Sequence, residues 1–581
     1  MRIPLREYFA LLQRYLRPQG RKVGALAALL AAATGLQLII PQILRAFIDG
    51  ATSGAELETL VRTAVIFIIA GVLHQGVSAG SRYLGEDVGW GATNLLRNDL
   101  AAHCIRLDMS FHKAHTPGEL IERIDGDVST MANFFSQFVL GMIGSLLLLV
   151  GILAALFLED WRAGLGLSLF ALLALYSLGT VRRIAVPFWE AVRGYSARFF
   201  GFLGEHLAGT EDIQANGGAG HVIRRLHLLL REWYPLARKA ELAGYSMWVA
   251  STAVFAAGNA LAFALGYWLW RSEAVTIGTV YLIYHYTLLL RRPIERIRTQ
   301  LQDMQRASAS INRVQRLLDT RSAIVDGPGR PIPAGPLPLV LESVGFGYEP
   351  DEQVLHDIQL SLQPGRVLGL LGRTGSGKTT LARLLVRMYD PTSGAIRMGG
   401  TPLREARLAE LRRRVGLVTQ DVQLLAGTVR DNLSFFDPGL PDSALLAAIA
   451  ELGLLAWYES LPQGLDTKLG SGSRGLSAGE AQLLALARLF LNDPGLVIMD
   501  EATSRLDPAT EGMIERAVDR LLRDRTAIII AHRLGTVDRA DEIMILEAGR
   551  TLEHGDRAAL ARDPGSRFHR LLRTGLEDVL A

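Results

Sequence analysis

Apolar residues follow two regimes along the 581-residue chain. Up to residue 292 they form long blocks with few charges, and beyond residue 338 they form short runs broken by Gly, Pro and charge. A helix needs about 20 apolar residues to cross a hydrocarbon core about 30 Å thick. Six blocks meet or approach that length: 23–48, 60–81, 134–158, 163–181, 247–270 and 275–290. The last is the shortest and must snorkel or continue through Arg291 and Arg292. Stretch 138–158 has no charged residue, so buried helices of a soluble protein are the weaker alternative.

The linkers between blocks are of two kinds. Linkers 49–58, 159–162 and 271–273 are short and carry little positive charge. The longer ones carry Arg97, Arg106, Lys113, Arg123, Arg182, Arg183, Arg224 and Arg225. The positive-inside rule places these longer linkers and both termini in the cytoplasm. They are too long for turns, and 94–103 and 221–239 read as helices continuing out of the membrane. Segment 5–15 reads as an amphipathic surface helix leading into the first span. A helical stretch 291–320 follows the sixth span, and a Pro- and Gly-rich run begins at Asp326. The expected organisation is a transmembrane domain over 1–320, a linker over 321–338 and a second domain over 339–581.

Composition narrows the function. The chain has 61 Lys and Arg against 58 Asp and Glu, a formal net charge of +3. That near-balance argues against a nucleic-acid partner. A 49% hydrophobic content excludes general disorder. Cys104 is the single cysteine, so neither an intrachain disulfide nor a multi-cysteine zinc site can form.

The second domain carries the chemistry. Strand patterns 339–344, 355–362 and 367–371 lead into Gly372-Arg-Thr-Gly-Ser-Gly-Lys-Thr379, and a helix pattern follows. Strand, Gly-rich loop and helix together form the setting a P-loop needs. The glycines let backbone N–H groups curl around phosphate, and the helix start adds its positive end. The nucleotide-binding set is Gly372, Arg373, Thr374, Gly375, Ser376, Gly377, Lys378, Thr379 and Thr380. Lys378 is expected on the β- and γ-phosphates of ATP, with Thr379 on Mg²⁺. A second apolar run, 496–499, ends in Asp500 and Glu501. Asp500 suits the metal, and Glu501 is placed to polarise the attacking water. A third, 527–531, ends in His532, so three strand ends converge on one sheet edge.

With these residues in hand, the chain resembles the ABC transporters, in particular exporters that fuse six spans to one ATPase domain. Leu476-Ser-Ala-Gly-Glu480 resembles the signature loop, and 500–507 resembles the Walker B segment with its D-loop, ending in Asp507. Gln420 resembles the Q-loop glutamine, Tyr348 the aromatic that stacks on adenine, and His532 the switch histidine. Segments 111–127 and 205–217 resemble the two intracellular coupling loops. The resemblance implies a helical transmembrane domain followed by an α/β P-loop ATPase domain. It implies Lys378, Gln420, Glu501 and His532 as catalytic, Thr379, Gln420 and Asp500 on Mg²⁺, and Tyr348 and Asp507 on the nucleotide. It further implies dimerisation, with Ser477 and Gly479 touching the nucleotide of a second half-transporter.

The signature departs from the family at two positions, where Ala478 replaces Gly and Glu480 replaces Gln. The segment before it also lacks the usual acidic residue. With Glu501 retained, this pattern favours a heterodimer over a homodimer. The expected function is ATP-driven export of an amphipathic, lipid-like, drug-like or peptide substrate across a bacterial inner membrane. Import on the same fold and an ATP-gated regulator are the alternatives. Tyr281, Tyr284 and His285 share one helix face and either line a cavity or pack between helices.

Overall fold

The computed structural model describes residues 13–133, 141–349, 351–419, 422–470, 476–500, 508–531 and 537–574. The chain forms two compact units, 1–105 with 117–320 and 106–116 with 321–581.

The first unit is helical. Its long helices are α1 (Gly20–Thr52), α2 (Leu57–Arg106), α3 (Gly141–Glu159), α4 (Trp161–Ala208), α5 (Ala219–Arg271) and α6 (Ile277–Asp319). Four of the apolar blocks lie wholly on these helices; 277–290 of the sixth lies on α6 and 141–158 of the third on α3, whereas 134–140 lies outside the described residues. So does most of the predicted surface helix 5–15. The stretches 94–103 and 221–239 continue α2 and α5 without a break. Among the described residues, five helices are long and apolar enough to cross a membrane. Their apolar side chains point outward: Ile68 is 62% exposed and Val72 69%. Core helices of a soluble protein would bury them, whereas a bilayer accepts them.

The sixth block, at the start of α6, has too short an apolar run to meet the same measure. It is instead the centre of packing. Leu282, Ile283, Tyr286, Leu290 and Ile294 are fully buried, in one cluster with Leu148, Leu167, Phe255 and Leu269. The Tyr286 hydroxyl donates to Leu38 O at 2.8 Å. Tyr284 stacks on Phe263 of α5, with ring centroids 4.5 Å apart. Tyr281 and His285 approach each other at 3.5 Å. Tyr284 is therefore engaged in helix packing.

Two polar ties fix helix ends in this unit. Asp49 accepts from Gly278 N and Thr276 Oγ1, both at 2.8 Å, and its neighbour Arg45 pairs with Glu159. Asp127, 2% exposed, takes a bidentate contact from Arg313, whose Nε lies 2.8 Å from Oδ2. Asp127→Ala should destabilise the unit by about 0.5–1.5 kcal/mol, the net worth of a hydrogen bond, because the half-exposed Arg313 left behind returns to water. A lowered thermal midpoint in detergent would register it, and an unchanged midpoint would deny the contact a structural role.

The second unit contains the sheets. An antiparallel sheet has the order β2-β1-β4-β5, from β1 (Leu339–Glu349), β2 (Glu352–Leu362), β4 (Ser393–Met398) and β5 (Thr401–Pro402). The central sheet has the order β12-β11-β3-β10-β9-β6. Its strands are β3 (Val367–Leu371), β6 (Val415–Val418), β9 (Leu496–Asp500), β10 (Thr526–Ile530), β11 (Glu542–Glu547) and β12 (Arg550–Asp556). A short pair, β7 (Gly427–Thr428) with β8 (Lys468–Leu469), lies apart.

Strands β3, β6, β9, β10 and β11 run parallel, and β12 is antiparallel to β11. Both faces of the parallel core are covered, which is why its strands read as unbroken apolar runs. Leu368, Leu370, Ile498 and Ile528 face β1, β2 and helix α7 (Lys378–Leu385). Leu371, Val497 and Ile529 face helices α8 (Ala478–Leu491) and α9 (Pro508–Leu522). The Pro- and Gly-rich run packs onto this unit instead of hanging free: Gly327 N and Gly329 N donate to Ala406 O and Glu405 O, and Ile332 is buried.

Candidate functional site

The loop after β3 turns directly into α7, and three glycines make the turn for different reasons. Gly372 has φ 151°, and a Cβ there would lie 2.3 Å from Leu546 O. Gly377, at the N-cap of α7 with φ 103°, has Leu355 Cδ2 2.5 Å from where its Cβ would be. Gly375 has φ 81° and open space around it. A side chain at any of the three would strain the backbone, and at the first two it would also clash.

Inside the loop, Lys378 is 6% exposed, and its ammonium donates to Gly372 O at 2.6 Å and Arg373 O at 2.9 Å. The Ser376 hydroxyl is buried without a hydrogen-bond partner. A buried donor of this kind, on a glycine loop at a helix start, suits a phosphate oxygen. Thr379 Oγ1 donates to Asp500 Oδ2 at 3.0 Å, so the end of β9 meets the start of α7 across β10. A hydroxyl beside a carboxylate is a hard oxygen pair of the kind Mg²⁺ accepts when phosphates complete its shell.

Tyr348, on β1, reaches the same place. Its hydroxyl shares a 3.1 Å hydrogen bond with Thr380 Oγ1 and accepts from Arg383 Nη1 at 3.2 Å. Its ring meets Phe346 and Tyr389 edge to face, with centroids 5.0 and 5.2 Å apart. The structure thus gathers Tyr348, Gly372 to Thr380 and Asp500. Gln420, Glu501, Asp507 and His532 lie outside the described residues. Ser477 and Gly479 stand at the start of α8, the first exposed and the second buried.

Two family models match the chain: "ABC transporter transmembrane region" over residues 23–294 and "ABC transporter" over 355–504. An ATP-dependent lipid A-core flippase of Alkalilimnicola ehrlichii is 31% identical over 561 residues, 93% of this chain and 92% of that protein. The chain belongs to the ABC transporters. A mycobactin import ATP-binding/permease protein of Mycolicibacterium smegmatis is 32% identical over 84% of this chain and 56% of its own length. The fold is shared with a bacterial Atm1-family ABC exporter solved with ATP bound, at TM-score 0.78 and 24% identity, covering 96% and 98% of the two chains. This ABC transporter is therefore a multi-pass integral membrane protein, with an ATP-binding ATPase domain coupled to transport.

The transporter's altered signature has a definite geometry. Ser477 caps α8, and its hydroxyl accepts from Glu480 N at 3.3 Å. The Glu480 carboxylate turns back to accept from Ser477 N at 2.7 Å. This capping box sets a negative charge at the positive end of the helix. Further along α8, Arg488 donates to Asn432 O at 2.7 Å and lies 4.1 Å from the centroid of Phe435. Burial pushes its guanidinium pKa down to about 10. Asn432 is itself fully buried and bonds Leu425 O and Thr428 O, which locks the orientation of α8.

Sequence reasoning missed Arg383 and Lys113 as neighbours of Tyr348. Lys113 Nζ sits 4.3 Å from the centroid of the tyrosine ring. Arg383 follows the P-loop lysine at i+5, which marks it only as helical. Lys113 is remote in sequence, and no local pattern links it to β1.

Proposed function

We propose that this chain is one half of a dimeric ATP-driven exporter of an amphipathic or lipid-like molecule, in a bacterial inner membrane with the ATPase domain cytoplasmic. The observation that carries the reading is the cradle itself: Lys378 and the orphaned Ser376 hydroxyl line the loop, and Thr379 touches Asp500. Lys378 holds the β- and γ-phosphates, and Tyr348 supports the adenine. Thr379, Asp500 and Gln420 would hold Mg²⁺, which when bound neutralises phosphate charge. Glu501 takes the proton of the attacking water, while Gln420 and His532 orient the reacting groups. Asp507 contributes to the nucleotide site, and Ser477 and Gly479 serve the nucleotide of the partner chain.

The altered signature supports a heterodimer. Glu480 retains the capping geometry that glutamine would have, but adds a charge where a γ-phosphate must approach. Glu480→Gln keeps the box and removes the charge. It should lower the apparent KM for ATP by about two- to five-fold, the size of an exposed charge effect at a helix start. An unchanged KM would make the substitution silent and remove this support.

The decisive test of the assembly is the mass and ATPase rate of the chain purified alone in detergent. An inert chain that gains activity only with a second half-transporter supports the heterodimer, whereas a dimer that turns over ATP by itself establishes a homodimer. Import is the second reading, favoured by the 32% identity to the mycobactin import protein of Mycolicibacterium smegmatis. The direction of ATP-dependent flux in proteoliposomes separates it from export.

A further inference from the structure

Residues 106–116 pack with the second unit, although the chain on both sides of them belongs to the first. Their helix, Met109–Ala114, is anchored at both ends. Asp108 caps it, with Oδ1 accepting from Ser110 N at 2.9 Å and Phe111 N at 3.2 Å. Its other oxygen accepts from Ala323 N at 2.5 Å and Ser322 Oγ at 3.2 Å. Burial alone would raise the Asp108 pKa, but these hydrogen bonds outweigh it and hold the carboxylate below its ordinary range. At the far end His115 stacks on Phe111, with centroids 4.3 Å apart. Between these anchors the exposed Lys113 sets its ammonium over the ring of Tyr348.

Tyr348 is held from below by Thr380 and Arg383, both on the helix that begins with the P-loop lysine. The ring therefore has α7 at its polar tip and Lys113 on its face. A cation and a nucleobase are alternative occupants of one aromatic face, because each is attracted to the same π surface.

The geometry points to Lys113 as a residue that covers the adenine platform and yields to the base when nucleotide binds. This rests on the reading of Tyr348 as the adenine support. The coupling is reciprocal: whatever holds Lys113 on the ring weakens nucleotide binding, and whatever lifts it strengthens binding.

The test uses the full chain in detergent with ADP, which carries the base and is not hydrolysed, and pyrophosphate, which lacks the base. Lys113→Met keeps the side-chain length and loses the charge. It should tighten ADP binding by about two- to five-fold, the scale of an exposed cation–π contact, and leave pyrophosphate binding unchanged. ADP, but not pyrophosphate, should also raise amine-reagent labelling of Lys113 in the unmutated chain, read by mass spectrometry. Unchanged or weaker ADP binding in Lys113→Met, equal shifts for both ligands, or labelling indifferent to ADP would overturn the inference. Tyr348→Leu separates the two levels. If it leaves ADP binding intact, the adenine platform itself fails; if it weakens ADP alone while Lys113→Met does nothing, only the lysine's role fails.

Discussion

Lys378→Ala is expected to weaken ATP binding by about 10²- to 10³-fold, corresponding to about 3–4 kcal/mol for one side of a buried charged contact. The lysine has two tasks in the structure. Its ammonium is the buried cation of the loop, and it also ties down the carbonyls of Gly372 and Arg373. Alanine removes both, so the phosphates lose a charge and the loop loses its brace. Equilibrium binding of ATP to the purified chain reads the effect. A thermal midpoint close to that of the unmutated chain would show that the ATPase domain still folds. Affinity unchanged in a folded variant would remove Lys378 from the nucleotide site.

Glu501→Gln should leave ATP binding near normal and cut hydrolysis by about 10²- to 10⁴-fold, the contribution of a positioned general base. The residue follows Asp500, whose carboxylate already touches Thr379 at the start of α7. Glutamine keeps the size of the side chain and removes the carboxylate that would accept the proton. Phosphate release is measured on the assembled dimer. In a heterodimer the partner's catalytic glutamate must be replaced in the same experiment, because its turnover would otherwise mask the loss. Near-normal release from an assembly with both positions changed would exclude Glu501 as the base.

Much of the architecture is legible because it depends on local pattern. An apolar block of membrane length forms a helix in any arrangement, since lipid leaves backbone groups no other partner. That is why 23–48, 60–81, 163–181 and 247–270 all lie inside helices. The run 367–371 reads as a strand buried on both sides, and its residues do alternate between two cores. The P-loop is legible because its glycines answer a backbone demand that recurs wherever phosphate is bound. The sixth block shows where pattern falls short. It is read as a sixth span although its apolar stretch is the shortest, and the structure shows Leu282, Ile283, Tyr286 and Leu290 packed by neighbouring helices rather than facing outward.

Sequence alone does not say where the Glu480 carboxylate points. The structure resolves this, as the reciprocal bonds between residues 477 and 480 turn the charge onto the helix start.

The amino-acid sequence by itself determined the membrane class, the long helices that carry the apolar blocks, the strands that end near 371, 500 and 530, and the loop that receives phosphate. Each of these is set by periodicity, length or backbone freedom within a few residues. Only the tertiary structure decided which side chains meet across long stretches of chain. Thr379 finds Asp500 because β3 and β9 flank β10. Tyr348 finds Arg383 because β1 packs over α7. Lys113 finds Tyr348 because residues 106–116 leave their own neighbours to pack with the second unit. Such meetings depend on sheet order and packing between distant segments, and a one-dimensional pattern holds no record of them.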